Sequence, residues 1–322
     1  MNPRSTLCLA LLVLAACCTP GGADAAGLPP EYFPAGASAP ADLPGWRQLA
    51  AEHPLLVRVG NPDTSAAPGG NAPGPVALDS RSVYLRVLDL ERDLPAVEAA
   101  LATPRLVLDL RFTVSGPPEA RRLGQLLARS TLDLPSPVRG AGPIILEPAA
   151  TRAPEQLTVV LVNGGTRGPV EAVLAALQMR GDALLTGTAT AGDTGWFETP
   201  AGMAGVQVIS GEFRPAPSVS ILGRGVQPAL EVEVSAADDR AAYAAFFEDT
   251  ALPELLDPTV DKSRFDEAAL LERHGRTRAP RRATQGTAAD DKSAEVAPPA
   301  IDRILQRGVN AVVAFDVLRS GP

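Results

Sequence analysis

The segment LTVVLVNGGTRGPVEAVLAALQMR, residues 157–180, carries the strongest fold signal in the chain. Its first six residues form a largely apolar, β-branched run that stops at Asn163-Gly164-Gly165, as is typical of a strand buried on both faces of a parallel sheet. Pro169 and Glu171 favour the first turn of a helix, because proline needs no N–H there and a carboxylate stabilises the positive end of the helix dipole. The segment therefore predicts a strand followed at once by a helix.

The same alternation extends on both sides of this segment. The expected strands cover residues 83–87, 106–111, 157–162 and 183–187, and the expected helices cover residues 94–101, 117–130 and 170–180. This order predicts an α/β domain built in layers. Ahead of it we expect a short helix at 46–52, a strand at 55–59 and a loop rich in glycine and proline from 60 to 74.

Composition narrows the class of protein. The chain has 322 residues, of which 45% are hydrophobic, so wholesale disorder is excluded. Its 29 basic and 37 acidic residues leave a net charge of −8. A nucleic-acid partner is therefore not expected, because phosphate binding needs a basic surface.

The N-terminus has the features of an export signal. Arg4 precedes an apolar run from Leu7 to Cys18, which is too short to span a membrane but fits a secretory signal peptide over residues 1–25. The sequence contains two alternative sites at which the signal peptide could be cleaved. Leu14-Ala15-Ala16-Cys17 resembles a bacterial lipobox with Cys17 as the lipidated residue, and Ala23-Asp24-Ala25 suits an ordinary signal peptidase.

The cysteines bear on the chemistry of the mature protein. All three lie in this leader, so the sequence predicts no disulfide, thiol nucleophile or thiolate zinc site in the folded body.

The rest of the chain divides into four parts. Residues 26–79 read as a tether and N-terminal subdomain, and residues 80–270 as the α/β domain. Residues 271–298 are charged and lack apolar periodicity, which predicts a mobile segment. Residues 299–322 carry an apolar stripe at helical spacing, so we expect a C-terminal helix docked on the main domain.

Four short motifs follow one another in the α/β region. They are Leu-Asp-Leu-Arg at 108–111, which follows Val-Tyr-Leu-Arg-Val at 83–87; Asn-Gly-Gly-Thr with an Ala-rich helix at 163–178; Gly-Thr-Ala-Thr-Ala-Gly-Asp at 187–193; and Gly-Arg-Gly-Val-Gln-Pro from 223. Together with a closing helix from Asp302, they resemble the tail-specific, or carboxyl-terminal processing, serine proteases of the S41 family. The resemblance implies the β/α spiral shared by ClpP and crotonase-like proteins. It also implies no PDZ insert, since little chain separates Val59 from Val83.

The catalytic residues implied by the resemblance are missing. The family uses a serine at a helix N-terminus and a neutral lysine that accepts its proton. By position, the serine is replaced by Gly168 and the lysine by Asp193. Only two lysines, Lys262 and Lys292, occur in the chain, and both lie in charged stretches where a neutral amine is not expected.

The family's oxyanion loop is also altered. In place of its Asn-x-Gly-Gly, the chain has Phe112 to Gly116. The resemblance leaves Gly116, Gly165 and Gly168 as the oxyanion or binding region, where backbone N–H groups could approach a ligand.

Two hydroxyl groups are fallback nucleophiles. Thr166 lies two residues before the replaced serine, and Ser115 lies in the altered loop. Structural roles are the stronger interpretation for both, as a turn or helix-cap hydroxyl for Thr166 and a loop residue for Ser115. Neither His53 nor His274 is a convincing base.

Carboxylates and aromatic residues allow two further interpretations. Asp193 and Glu198 could be paired carboxylates for hydrolysis, or could form a metal site with Asp109. A surface turn at Asp193 and a structural Asp109–Arg111 pair are the stronger interpretations. Trp196 and Phe197 could line a groove, although packing roles are more common. No metal-ligand spacing or phosphate-binding loop is present, so we expect no metal and no cofactor.

The sequence thus favours an exported pseudoprotease that binds peptides or acts as a scaffold in the cell envelope. Its expected partners are unfolded or C-terminal segments of envelope proteins. The main alternative is an active enzyme, either a hydrolase with a relocated site or a crotonase-like enzyme in which backbone N–H groups around Gly116 and Gly168 polarise a carbonyl. It predicts a polar pocket between residues 112–116 and 164–169. The third hypothesis is a purely structural lipoprotein anchored through Cys17. If Gly168 and Asp193 faced each other across an open cleft, that cleft would be the binding groove.

Overall fold

The computed structural model describes residues 32–34, 56–59, 74–198, 206–246, 251–256 and 301–320. The signal peptide, Cys17, the helix expected at 46–52 and the segment 271–298 lie outside these residues. So do both lysines and both histidines.

A six-stranded sheet forms the centre of the fold. Its members are β3 (Val76–Ala77), β4 (Ser82–Arg86), β5 (Arg105–Asp109), β8 (Leu157–Val162), β9 (Leu184–Gly187) and β12 (Leu230–Glu231). The spatial order is β12-β9-β8-β5-β4-β3, and only β3 runs antiparallel to its neighbour. From β4 to β12 the strands therefore follow one another in sequence order. The expected α/β fold with a mostly parallel central sheet is confirmed.

Three helices cover the front face of this sheet. They are α1 (Leu90–Ala100), α2 (Pro117–Leu127) and α3 (Pro169–Arg180). The helices lie on one side because right-handed crossovers that all advance in one direction return along the same face. Leu106, Leu108, Val160 and Val162 point towards them and share one buried core with residues of all three helices.

The back face of the sheet is covered by the C-terminal helix α5 (Arg303–Ser320), which packs across β5, β8 and β9. Val107, Val159 and Leu161 alternate with the front-facing residues and form a second core. A Cβ at Gly308 would stand 2.6 Å from Leu161 Cδ2, so glycine permits the close approach of α5 to the sheet. The residues of α5 in this core are Ile304, Leu305 and Val312.

A smaller antiparallel sheet joins distant parts of the chain. It contains β1 (Tyr32–Pro34), β2 (Leu56–Val59), β10 (Gly195–Glu198) and β11 (Val206–Glu212), in the order β1-β2-β11-β10. The N-terminal segment thus pairs with residues after 194 through β2 and β11. The sequence predicted neither β10 nor β11, nor the hairpin of β6 (Leu132–Leu134) and β7 (Ile144–Leu146).

Two short helical elements complete the described fold. Helix α4 (Ala236–Ala245) begins at Ser235, whose side chain accepts a hydrogen bond from Asp238 N at 3.1 Å. A 3₁₀ turn at Leu252–Leu255 contributes Leu252 to the back core. Residues 60–73, where a PDZ insert would have to fit, lie outside the described residues.

Candidate functional site

A cavity of about 470 Å³ opens where the parallel strands end. The turns after β5, β8 and β9 lie at the same edge of the sheet and line this cavity together with the start of α4. Ligands of open α/β sheets bind at this edge, where the carboxyl ends of parallel strands meet. Phe112, Val114, Gly164, Gly165 and Arg167 all lie on its wall, so a cavity borders the turns at 112–116 and 164–169. It differs from the polar pocket predicted between these turns, because apolar side chains contribute to its wall and neither Gly116 nor Gly168 lines it.

The position of the replaced serine lies behind this wall. Gly168 is buried and has a φ of 92°, a conformation that favours glycine. A Cβ at Gly168 would collide with the carbonyl oxygen of Ser115 and would also stand 3.3 Å from Ser115 Oγ. A side chain at this position has no room to point into the cavity.

The altered loop is responsible for this closure. Val114 and Arg167 form a short parallel bridge between the loop and the turn after β8. Arg167 N donates to Thr113 O at 2.9 Å, and Ser115 N donates to Arg167 O at 3.2 Å. The loop at residues 112–116 is therefore hydrogen-bonded against the turn that contains Gly168.

The three glycines predicted to form the oxyanion or binding region, Gly116, Gly165 and Gly168, make hydrogen bonds within the protein. Gly165 N donates to Asn163 Oδ1 at 2.9 Å, and Gly168 N donates to Glu171 Oε1 at 3.1 Å. Gly116 is the N-cap residue of α2, where its carbonyl accepts from Ala120 N at 3.2 Å. At Gly165 and Gly168 the expectation of an N–H available to a ligand is not met, because each has an acceptor in its own turn.

The carboxylate of Glu171 lies between the two positions that the resemblance assigns to the catalytic pair. Gly168 N and Asp193 N donate to the same oxygen, Glu171 Oε1, at 3.1 and 2.8 Å. The other oxygen accepts from Gly192 N at 2.6 Å and from Thr190 Oγ1 at 2.5 Å. Burial raises the pKa of Glu171 to about 7, although these hydrogen bonds favour the charged form.

Gly168 and Asp193 consequently do not face each other across an open cleft. One buried carboxylate joins their backbones, and neither residue lines the cavity. The sequence singled out both positions but assigned Glu171 only a role at the helix dipole. Its spacing of three residues from the helix N-cap is a signal for a side chain that returns to the cap N–H.

Both fallback hydroxyls have structural roles. Thr166 is fully buried; its Oγ1 donates to Leu110 O at 2.9 Å and accepts from Asn163 N at 3.2 Å. Ser115 Oγ accepts from Val170 N at 3.0 Å, so it caps the first turn of α3 from a neighbouring loop. These are the turn and cap roles that the residue types favoured, although the helix cap is Ser115 rather than Thr166.

A buried charge cluster supports one side of the cavity. Arg111, with no exposed side-chain surface, lies 2.7 Å from Asp109, 2.9 Å from Asp239 and 2.7 Å from Asp302. Burial alone would raise the pKa of Asp109, but Arg111 beside it lowers that pKa below its usual value. Tyr84 also donates to Asp109 Oδ2 at 2.8 Å. The predicted Asp109–Arg111 pair is confirmed as the centre of this cluster.

The aromatic residues near Asp193 contribute to packing. Trp196 packs edge-to-face on Phe213 with ring centroids 5.8 Å apart, and Phe197 packs against Ile209. Neither lines the cavity at the strand ends. The packing interpretation of these two residues therefore holds.

The described residues contain neither a candidate metal centre nor a candidate membrane span. No group of three or more His, Cys, Asp or Glu side chains there is arranged to hold a metal ion. No helix in the same ranges is long and apolar enough to cross a bilayer.

Comparisons with known proteins add a likeness of fold. Neither the protein-family models nor the curated proteins include a match to this chain. The photosystem II D1 C-terminal processing protease is 23% identical, with a TM-score of 0.41, over 55% of this chain and 48% of that protein. A Bacteroides fragilis protein described as a candidate S41 protease is 20% identical, with a TM-score of 0.40, over 52% of this chain and 51% of that protein. A lipoprotein from Streptococcus agalactiae is 14% identical, with a TM-score of 0.40, over 55% of this chain and 70% of that protein.

The chain spans about half the length of the first two of these proteins. The structural neighbours of this chain are S41-family C-terminal processing proteases and a lipoprotein.

Proposed function

We propose that this chain is an exported, protease-like protein that has lost peptide-bond hydrolysis and binds peptide or protein segments in the bacterial cell envelope. The observation that carries the proposal is the closure at Gly168. The main chain of Ser115 occupies the space that a nucleophilic side chain would need, and the Glu171 carboxylate holds the surrounding backbone. The absence of a serine at this position is thus accompanied by a backbone arrangement that leaves no room for one.

Hydrolysis by a Ser–Lys pair needs a hydroxyl next to a neutral amine and an open path to the substrate carbonyl. Gly168 supplies no hydroxyl, and Asp193 supplies a carboxylate in place of the amine. The hydroxyls of Thr166 and Ser115 are engaged by backbone groups in the interior. The motifs of the family are thus retained in a framework that lacks the groups for its chemistry.

The cavity supports a binding role. Its volume of about 470 Å³ lies in the range of ligand sites, roughly 300–1,000 Å³. Phe112 and Val114 give it apolar surface, and Arg167 and Arg240 give it positive charge. A short stretch of peptide could be held there without any covalent step.

The test is hydrolysis by the purified protein, residues 26–322. We expect no cleavage of unfolded casein and no labelling by a fluorophosphonate, because no activated hydroxyl is present. Ser115→Ala and Thr166→Val serve as matched variants and should be equally inactive. Turnover by the wild-type protein that either substitution abolishes would support the alternative, an active serine-type hydrolase with a relocated nucleophile.

The envelope location rests on the leader sequence. Export with processing before Cys17 would give a lipid-anchored protein, whereas cleavage after Ala25 would give a mature N-terminus at Ala26. Mass spectrometry of the protein from bacterial membranes and periplasm distinguishes the two. A full-length chain that retains Met1 in the cytoplasm would contradict export.

A further inference from the structure

The cavity wall carries an exposed arginine, Arg240, in a protein with a net charge of −8. Arg167 also lines the cavity, but it already has an interaction within the protein. Asp239 is the one carboxylate among its described lining residues, and its two oxygens are already engaged. Arg111 Nη1 donates to one at 2.9 Å, and Asn163 Nδ2 donates to the other at 2.6 Å. The charge of Asp239 is thus compensated from behind the wall.

Arg240 is placed at the cavity by an aromatic pair. Its guanidinium carbon lies 5.8 Å from the centre of the Phe112 ring, within the range of a cation–π contact. The Phe112 ring packs edge-to-face on Tyr243, with centroids 4.8 Å apart. In the described part of the chain no carboxylate lies within ion-pair distance of Arg240, which is exposed.

Phe112 itself is held in an unusual backbone conformation. Its φ of 59° makes it the one described residue other than glycine with a positive φ. Phe112 N donates to Asn163 Oδ1 at 3.1 Å, so the turn after β8 fixes this conformation. Backbone strain of this kind is maintained where surrounding contacts determine the geometry, often at ligand sites. It holds the ring between Arg240 and Tyr243 at the cavity wall.

Apolar surface adjoins the two arginines. Phe112, Val114 and Val234 line the same cavity, and Val114 is 46% exposed. A ligand that satisfies both features has a negatively charged group next to an apolar one. Burial of its apolar part would supply affinity, and Arg240 would select the sign of its charge.

We propose that the cavity selects peptide segments in which a carboxylate stands beside an apolar side chain. The inference rests on the proposed binding function and specifies its ligand class. The carboxylate can belong to an acidic side chain or to the end of a chain, because both present the same group to an arginine.

Four fluorescein-labelled pentapeptides test the proposal by fluorescence anisotropy with the purified protein, residues 26–322. Three carry a C-terminal amide and read Ala-Val-Asp-Val-Ala, Ala-Val-Asn-Val-Ala and Ala-Val-Lys-Val-Ala. The fourth repeats the asparagine peptide with a free carboxylate. We expect the aspartate peptide or the free-acid peptide to bind about three- to fivefold more tightly than the asparagine amide, and the lysine peptide more weakly.

Two arginine variants show whether the preference for a carboxylate arises at this cavity. Arg240→Gln should remove most of the preference for the acidic peptide, since it removes charge and leaves the apolar wall in place. Arg139→Gln is the matched control, because Arg139 is exposed and does not line the cavity. Raising the salt concentration to 0.5 M should reduce the preference in the wild-type protein, as expected for an exposed charge.

The results of the binding experiment distinguish the proposed selection for a carboxylate from the proposed binding function on which it rests. Preference for the aspartate peptide identifies a side-chain carboxylate as the source, and preference for the free acid identifies a chain end. Equal affinity for all four peptides overturns charge selection and leaves the binding module intact. Binding of none overturns both proposals, and a preference that survives Arg240→Gln overturns the assignment to this cavity, whatever the effect of Arg139→Gln.

Discussion

Arg111 and Asp302 lie 191 residues apart in the sequence, yet Arg111 Nη2 and Asp302 Oδ2 are only 2.7 Å apart in the structure. The contact joins the end of β5, beside the cavity, to the start of the C-terminal helix. Asp302 also accepts from Leu305 N at 2.9 Å, so one carboxylate both caps α5 and neutralises a buried guanidinium. The position of the helix and the charge balance of the site therefore depend on each other.

Asp302→Ala should lower the free energy of unfolding by about 3–5 kcal/mol, because it leaves Arg111 with less compensation in the interior. Urea denaturation at pH 7 measures the change. Asp133→Ala is the control, since Asp133 is exposed on β6, and its effect should stay within about 0.5 kcal/mol. Equal losses in the two variants would show that the buried cluster does not stabilise the fold.

Gly168→Ala should destabilise the protein by about 2 kcal/mol or more, because the added Cβ meets the Ser115 carbonyl and the φ of 92° is unfavourable for alanine. Gly142→Ala adds the same methyl group where no atom lies within 4 Å, and should change stability by less than about 1 kcal/mol.

The same closure predicts the result of restoring the catalytic pair. The double variant Gly168→Ser, Asp193→Lys should lose stability and gain no peptidase activity, as measured with casein and a fluorophosphonate. Recovery of cleavage with unchanged stability would contradict the closure of the site.

Glu171 should make stability depend on pH near neutrality. Burial raises its pKa in the folded protein to about 7, from an ordinary value of 4.5. The contribution of Glu171 is fully present below pH 4.5, where both states hold the proton, and is lost as pH rises towards 7 and the unfolded state ionises first. The loss should amount to about 3 kcal/mol between pH 4 and pH 8.

Urea denaturation of the wild-type protein and of Glu171→Gln, at unit intervals over this range, measures that contribution. The variant should lack this part of the decline, whatever its absolute stability. Glu147→Gln changes an exposed carboxylate and should keep the wild-type slope. Parallel pH profiles for the wild-type protein and Glu171→Gln would rule out the raised pKa.

Gly308→Ala tests the approach of the C-terminal helix to the sheet. Alanine favours a helix over glycine by about 1 kcal/mol, so helix propensity alone predicts stabilisation. We expect instead a loss of about 1–3 kcal/mol, since the new methyl group would stand 2.6 Å from Leu161 Cδ2. Asn310→Ala, at an exposed position of the same helix, should not be destabilising beyond about 0.5 kcal/mol. A stabilised Gly308→Ala would mean that the helix packs less closely.

The central sheet was predictable because its strands are encoded locally. The apolar run at 157–162 matches β8 residue for residue, since few other structures bury six such residues in succession. The helix predicted from residue 94 begins four residues earlier, at Leu90, because a proline at position 95 favours a helix start that the structure does not use. In the structure Asp89 caps the helix by accepting from Arg92 N at 3.0 Å, and Pro95 lies inside it. Strands β10 and β11 have short, mixed sequences whose pairing depends on remote segments.

The site was predictable in position but not in construction. The order of motifs placed Gly168 and Asp193 near each other, and the structure joins them through Glu171. No local pattern shows that Ser115 would close the nucleophile position, because that contact depends on the path of a loop 53 residues earlier. The role of Asp302 was equally hidden, as its partner belongs to another layer of the fold.

The sequential order of the parallel strands has a consequence for synthesis. As the chain leaves the ribosome, the parallel strands β4, β5, β8, β9 and β12 can each add to the one before it in the central sheet, and the front helices arrive between them. Among the described elements, α5 is made last, yet it covers Val107, Val159 and Leu161 on the opposite face. A nascent chain that has not yet released α5 therefore carries an assembled sheet whose back face is incompletely covered. We expect chaperones to bind the chain at this stage.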